Sequence, residues 1–239
     1  MTEALFRSEP YARTCAAAVI SVDTAGIVLD RSIFYPTGGG QPGDTGMLQT
    51  ADGRTVMIAN TIKGPDGGVV HVPVPDAPAL SPGDAVTVTL DWDRRHRLMR
   101  MHTCLHLLSA LLPYPVTGGQ VSDGKGRLDF DCGDALPDKE FLTAELNRLV
   151  AADHAVGDVW ITDDELLNSP DLVKTMAVKP PVGQGHVRLI RIGTADTRID
   201  LQACGGTHVA RTGEIGPVAV LKIESKGRQN RRVNIGFAA

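Results

Sequence analysis

Apolar and polar residues alternate with a period near two through most of the first ninety residues. CAAAVISVD (15–23), GIVLD (26–30), TVMIANTIK (55–63), GGVVHVPV (67–74) and AVTVTLDW (85–92) each read as a half-buried strand. Thr24-Ala25-Gly26 and Gly64-Pro65-Asp66-Gly67 supply turn chemistry between them, which predicts hairpins. The proline-rich PVPDAPALSPGD (73–84) leads into the last of these strands. With no helical period before residue 92, residues 1–92 read as a small β-barrel or compact β-domain.

The period then changes. Leu98, Met101, Leu105, Leu108 and Leu112 follow one another at intervals of three and four, the face of a helix. Asp91 or Asp93 can cap its start and Pro113 ends it. Phe141, Leu142, Leu146, Leu149 and Val150 predict a second helix over about 138–152. A strand is expected at 157–162 and a weakly helical segment at 163–177. HVRLIRIG (186–193), TRIDLQAC (197–204), GPVAVLKIES (216–225) and RVNIGFA (232–238) read as strands, with KGRQNRR (226–232) joining the last two as a hairpin. Residues 93–239 are therefore expected to be α+β, with helices packed on a mainly antiparallel sheet.

Composition narrows the function classes. A hydrophobic content of 42% with 22% charged residues is that of a soluble globular chain, and no run of 18 apolar residues suggests a membrane span. Aromatics at 4% argue against a stacking platform for single-stranded nucleic acid, and a net charge of −4 makes any polyanion contact a local matter. The N-terminus lacks an apolar signal segment, and the four cysteines are too scattered for a disulfide framework. A cytoplasmic protein with reduced thiols is expected. Nothing calls for an obligate protein partner.

Two glycine motifs fail on context. GGGQPG (38–43) matches a dinucleotide fingerprint, but turn and strand chemistry follows it where a helix should start. GQVSDGKG (119–126) nearly matches a phosphate loop but places Gly126 where Ser or Thr should be, and reads better as a hairpin turn.

The chemistry concentrates elsewhere. His102 and His106 in HTCLH stand four apart on the predicted helix, so their Cβ atoms lie roughly 5–6 Å apart on one face. Thr103 occupies the position at which helical zinc proteases carry their general-base Glu, so a protease is a poor reading. Cys204 and His208 in CGGTH are separated by two glycines that let the backbone fold tightly. Three imidazoles and a thiolate form a borderline-soft set suited to one Zn²⁺ per chain. Cys104 points about 200° around the helix from His102 and reads as packing. Cys15, Cys132, His71, His154 and His186 have no partner at ligand spacing.

These residues carry a resemblance. HTCLH and CGGTH, with TGGGQPGDTG (37–46), GRLDFD (126–131) and EIGPVAV (214–220), make the sequence look like the AlaX proteins, free-standing relatives of the alanyl-tRNA synthetase editing domain. It resembles the medium-length type, with the N-terminal glycine-rich β-domain. Threonyl-tRNA synthetases carry a similar second-domain motif. The resemblance implies a zinc-dependent hydrolase that deacylates mischarged Ser-tRNA(Ala), and Gly-tRNA(Ala) as a further substrate. Such an ester needs a water activated near neutral pH and a stabilised oxyanion, and Zn²⁺ can supply both. Four protein ligands would close the site, whereas catalytic zinc keeps a position open. His102, His106 and Cys204 are thus the firm ligands, and His208 is either a labile fourth or orients water and substrate.

Thr37 and Gln41 in the glycine-rich segment offer hydrogen-bonding groups for the seryl hydroxyl. Phosphate contact with the acceptor end of tRNA(Ala) is expected from Arg94, Arg95, Arg97 and Arg100, and from Lys222, Lys226, Arg228, Arg231 and Arg232. Two other readings stay open: a non-catalytic RNA-binding module that zinc merely stabilises, and a zinc hydrolase for another aminoacyl ester, such as one on threonine tRNA. No aminoacylation domain is seen in the sequence.

Overall fold

The computed structural model describes residues 2–65, 67–133, 135–169, 172–174 and 185–238. The chain divides into two compact units, Met1–His96 and Arg97–Ala239.

In the first unit six strands form a closed barrel, in the order Thr14–Asp23, Gly26–Leu29, Val69–Pro73, Thr55–Lys63, Gly46–Thr50 and Ala85–Leu90. Closure comes from Thr14–Asp23, which pairs with Gly26–Leu29 on one side and Ala85–Leu90 on the other. A closed ring leaves no edge strand to aggregate. The last strand shows why the alternation works. In AVTVTL, Val86, Val88 and Leu90 point into the barrel while Ala85 and Thr87 face solvent. They meet Leu29, Phe34, Leu48 and Val56 in one apolar core. Gly46–Thr50, which the sequence marks only as turn-and-strand chemistry, is a full stave between Thr55–Lys63 and Ala85–Leu90. Its signal is faint because a five-residue strand gives only Leu48 and Thr50 to the inside. Of the predicted Gly64–Gly67 turn, Asp66 lies outside the described residues.

The long helix runs Trp92–Leu111, and the division between the units falls within it. Asp91 is its cap: the carboxylate accepts the Arg94 backbone N–H at 3.2 Å. The spacing predicts one apolar face, yet every residue from Met101 to Ser109 is buried. One side of it is pressed onto the strand Lys125–Asp131, where a Cβ on Gly126 would lie 2.9 Å from the Met101 side chain and force it to shift. The other side carries His102 and His106, both buried.

Among the described residues the second unit holds two antiparallel sheets. One has the order Val218–Ser225, Asn230–Phe237, Lys125–Asp131, Val116–Ser122; the other Val156–Thr162, His186–Gly193, Arg198–Ala203. Asp123-Gly124 turns the hairpin between Val116–Ser122 and Lys125–Asp131, as expected from GQVSDGKG. Asp138 caps the helix Lys139–Ala151 through the Phe141 N–H. That helix is clamped to the first sheet by Asn147, whose amide both donates to Val218 O and accepts from Val218 N–H. Of the predicted helical segment 163–177, Asp163–Leu167 is an α-helix; positions 170, 171 and 175–177 lie outside the described residues. The architecture is mixed α and β, in keeping with an α+β class. Among the described residues no helix is long and apolar enough to cross a membrane.

Candidate metal centre

Two local periodicities build the site. On the helix, His102, His106 and Ser109 stand at i, i+4 and i+7, on one face. On the strand Arg198–Ala203 side chains alternate, so Asp200, Gln202 and the following Cys204 share a face. The two faces meet. His102, His106, Cys204 and His208 bring one ligand atom each to within 4.8 Å of all the others. The imidazole centroids of His102 and His208 lie 4.3 Å apart, and those of His106 and His208 lie 4.6 Å apart.

The nitrogens that face inward are set by what holds the others. His106 Nδ1 is bound to Asp200 Oδ2 at 2.9 Å, and His208 Nδ1 to the Thr103 hydroxyl at 3.1 Å. His102 Nε2 and His208 Nε2 stand 3.5 Å and 3.4 Å from Cys204 Sγ. Thr103, at the protease Glu position, is thus a buried support that also accepts the Val209 N–H. The CGGTH turn is tied to the sheet by Arg188, which donates to Cys204 O at 3.2 Å and Gly206 O at 2.9 Å. Gly206 N–H points at the Cys204 sulfur, 3.5 Å away.

Electrostatics favour ligation. Burial alone would push the Cys204 thiol up, but the neighbouring His102 and His208 outweigh it and hold it well below its ordinary value. Burial and the charge of His102 hold His208 well below the ordinary imidazole range, hence neutral. Burial opposes charge on His106 as well, but Asp200 and Cys204 raise it to about 9. Metal binding at this cluster must therefore release protons. Cys104 lies away from this chemistry, fully buried with its thiol pushed up to about 12 by burial.

The other expected site residues are placed less simply. Thr37 and Gln41 belong to the first unit, in the glycine-rich segment. Thr37 Oγ1 donates to Thr61 O at 3.1 Å and accepts the Gly43 N–H at 2.9 Å; Gln41 is buried and bridges to Gly38. A Cβ on Gly43 would sit 2.0 Å from Thr61 O, so the segment is pressed tightly on its neighbour. Arg95 is a correction. It is buried against Asp44, bound through Nε at 3.0 and 2.9 Å and through Nη2, and also donates to Ile33 O and Pro10 O. A guanidinium enclosed in this way cannot meet a phosphate.

Other members of the basic runs hold local partners. Arg94 donates to Gly43 O, Arg100 to Ile215 O, and Arg231 to Gly227 O and the Ser225 hydroxyl. Arg232 is paired with Asp129 at 2.7 Å, Lys222 with Glu224 at 2.9 Å and Lys226 with Glu224 at 3.9 Å. Arg97 faces Asp123 at 2.5 Å in an exposed pair, and Arg228 is exposed. Asp200, Gln202, Ser109 and Lys174 are the neighbours that reading the sequence missed. Period-two spacing back from Cys204, and i+7 from His102, were the signals for the first three.

The comparisons with known proteins agree with the motifs. A family described as the threonyl and alanyl tRNA synthetase second additional domain matches residues 187–234, which include Cys204 and His208. One described as class II (A) tRNA synthetases matches 4–94, the barrel. Fold and site thus define a synthetase-related editing domain that bears a His₃Cys cluster. The chain belongs to the AlaX family of alanyl-tRNA editing proteins. It is 32% identical to the alanyl-tRNA editing protein AlaX-M of Saccharolobus solfataricus and 35% identical to that of Methanosarcina acetivorans, over 98% of each chain in both cases. It is also 35% identical to the alanine–tRNA ligase of Methanothrix thermoacetophila, over 93% of this chain but 24% of that one.

Proposed function

We propose that this deacylase hydrolyses Ser-tRNA(Ala), and Gly-tRNA(Ala) as a second substrate, in the cytoplasm, with one Zn²⁺ held by His102, His106, Cys204 and His208. The observation that carries the reading is the convergence of the four ligand atoms within 4.8 Å. A tetrahedral ion with Zn–N of ~2.0 Å and Zn–S of ~2.3 Å needs N···S edges of about 3.5 Å. The two N···S distances to Cys204, 3.5 and 3.4 Å, fit that edge. When bound, zinc supplies Lewis-acid polarisation at neutral pH.

The protein's own residues divide the remaining work. His102, His106 and Cys204 hold the ion. His208 is backed by a neutral hydroxyl, that of Thr103, so it would be a labile fourth ligand whose Nε2 could instead orient the reacting groups. Thr37 and Gln41 act by shaping the glycine-rich segment, because the Thr37 hydroxyl is already committed to Thr61 and Gly43. Arg94, Arg97, Lys226 and Arg228 remain the candidates for phosphate contact at the acceptor end of tRNA(Ala), whereas Arg100 and Arg231 donate to backbone carbonyls and Arg232 is held by the Asp129 carboxylate.

Elemental analysis should find one zinc per chain in the wild type and a marked loss in Cys204→Ala. Undiminished zinc in that variant would remove the premise. Chelation separates the enzyme from a zinc-stabilised binding module: an enzyme keeps its fold and loses turnover, whereas a structural site unfolds.

A further inference from the structure

Asp200 is a carboxylate with only 2% of its surface exposed, a placement that is costly unless its oxygens are satisfied. They are. Oδ2 accepts from His106 Nδ1 at 2.9 Å and from Gln202 Nε2 at 2.7 Å, and Oδ1 accepts from Lys174 Nζ at 2.8 Å. Gln202 Nε2 also donates to Ser109 Oγ at 2.8 Å, and Ser109 donates to His106 O at 3.0 Å. The network therefore starts at the imidazole of His106 and returns to the backbone of the same residue. Every neighbour of the carboxylate is a donor, so His106 must place its proton on Nδ1 and keep the Nε2 lone pair for the cluster. His208 is held differently: its Nδ1 meets a neutral hydroxyl, that of Thr103, at 3.1 Å.

We infer that Asp200 is a positioning residue for the metal ligand His106, and that Lys174 and Gln202 hold Asp200 in the orientation that does so. The inference rests on the metal reading of the cluster. The geometry also says how Asp200→Asn should fail. One orientation of the amide puts its NH₂ against Lys174 Nζ. The other puts it against the donors of His106 and Gln202. Removing the Lys174 donor as well lets the asparagine turn its oxygen to His106.

The test is the zinc dissociation constant of the full chain, measured by competition with a chromogenic chelator, with circular dichroism confirming that each variant is folded. Asp200→Asn should weaken zinc binding about 10–100-fold. Asp200→Asn with Lys174→Met should recover most of that loss. A folded Asp200→Asn with wild-type affinity overturns the inference and leaves the metal reading standing, whereas a wild type that binds no zinc defeats the metal reading itself. A double variant as weak as the single one overturns the role given to Lys174. Imidazole nitrogen shifts of the zinc-loaded wild type provide a check that needs no variant. They should show His106 protonated at Nδ1, and a metal on Nδ1 of His106 would overturn the inference.

Discussion

Each of the two units buries a carboxylate against a cation, and the pairs serve different ends. In the barrel unit Asp44 meets Arg95, and the Tyr35 N–H adds a bond of 2.5 Å to the same carboxylate. Arg95 has only donors, and the carboxylate and two backbone carbonyls surround its guanidinium. This pair fastens the ends of the glycine-rich segment and has no reactive atom left over. In the second unit Asp200 meets His106, whose ring has two distinct nitrogens. The carboxylate takes one and leaves the other facing Cys204, His102 and His208. A buried ion pair is cement when the cation is wholly donor, and an aiming device when the cation is an imidazole.

The largest expected break is in the cement. Asp44→Ala or Arg95→Ala leaves an uncompensated buried charge and should cost about 3–5 kcal/mol in chemical denaturation of the full chain. A loss below about 1 kcal/mol would show that the pair is not holding the segment.

Next come the histidines of the two units, which should titrate in opposite senses. His71 in the barrel is fully buried, bound to Ser32 Oγ at 2.8 Å and Ile27 O at 3.0 Å, and burial pushes it down to about 4. Its folded value lies below the unfolded one, so its contribution is complete above about pH 6.5 and is lost as pH falls towards 4, about 3 kcal/mol in all. His106 is raised to about 9, so in metal-free protein its contribution is complete below about pH 6.5 and is lost as pH rises through 9. Stability of the metal-free chain against pH should show both limbs. His71→Gln should flatten the acid limb alone, and an unchanged acid limb would contradict the assignment.

A smaller effect is expected at Thr37. Thr37→Val removes one bond within the glycine-rich segment, from Gly43 N–H, and one that ties it to Thr61 O, at roughly 0.5–1.5 kcal/mol each. Single-turnover deacylation of Ser-tRNA(Ala) and Gly-tRNA(Ala) should slow to a similar degree. A loss confined to the seryl substrate would instead mean that the hydroxyl reaches substrate. Smallest in stability is Arg97→Ala, an exposed pair worth within about 0.5 kcal/mol, yet it should make the logarithmic salt slope of tRNA binding shallower by roughly one. An unchanged slope would assign Arg97 to its pair with Asp123.

The sequence was most legible where one periodicity acts alone. AVTVTL declares its buried face, and HTCLH and CGGTH declare the quartet through ligand spacing. It was least legible where a side chain's fate depends on a distant partner. Arg95 belongs to a run of arginines that reads as one basic surface, and only Asp44, 51 positions away, makes it core. Asp200 and Gln202 read as ordinary polar positions of a strand, because their meaning comes from His106 and Ser109 on a helix about ninety residues earlier.

The central claim is tested most directly by single-turnover deacylation of Ser-tRNA(Ala), Gly-tRNA(Ala), Ala-tRNA(Ala) and Thr-tRNA(Thr) by the zinc-loaded wild type and by Cys204→Ala. The account predicts rapid hydrolysis of the seryl ester, hydrolysis of the glycyl ester, sparing of the alanyl and threonyl esters, and loss of activity in the variant. Hydrolysis of the threonyl ester in preference to the seryl one, or full activity in Cys204→Ala, would contradict it.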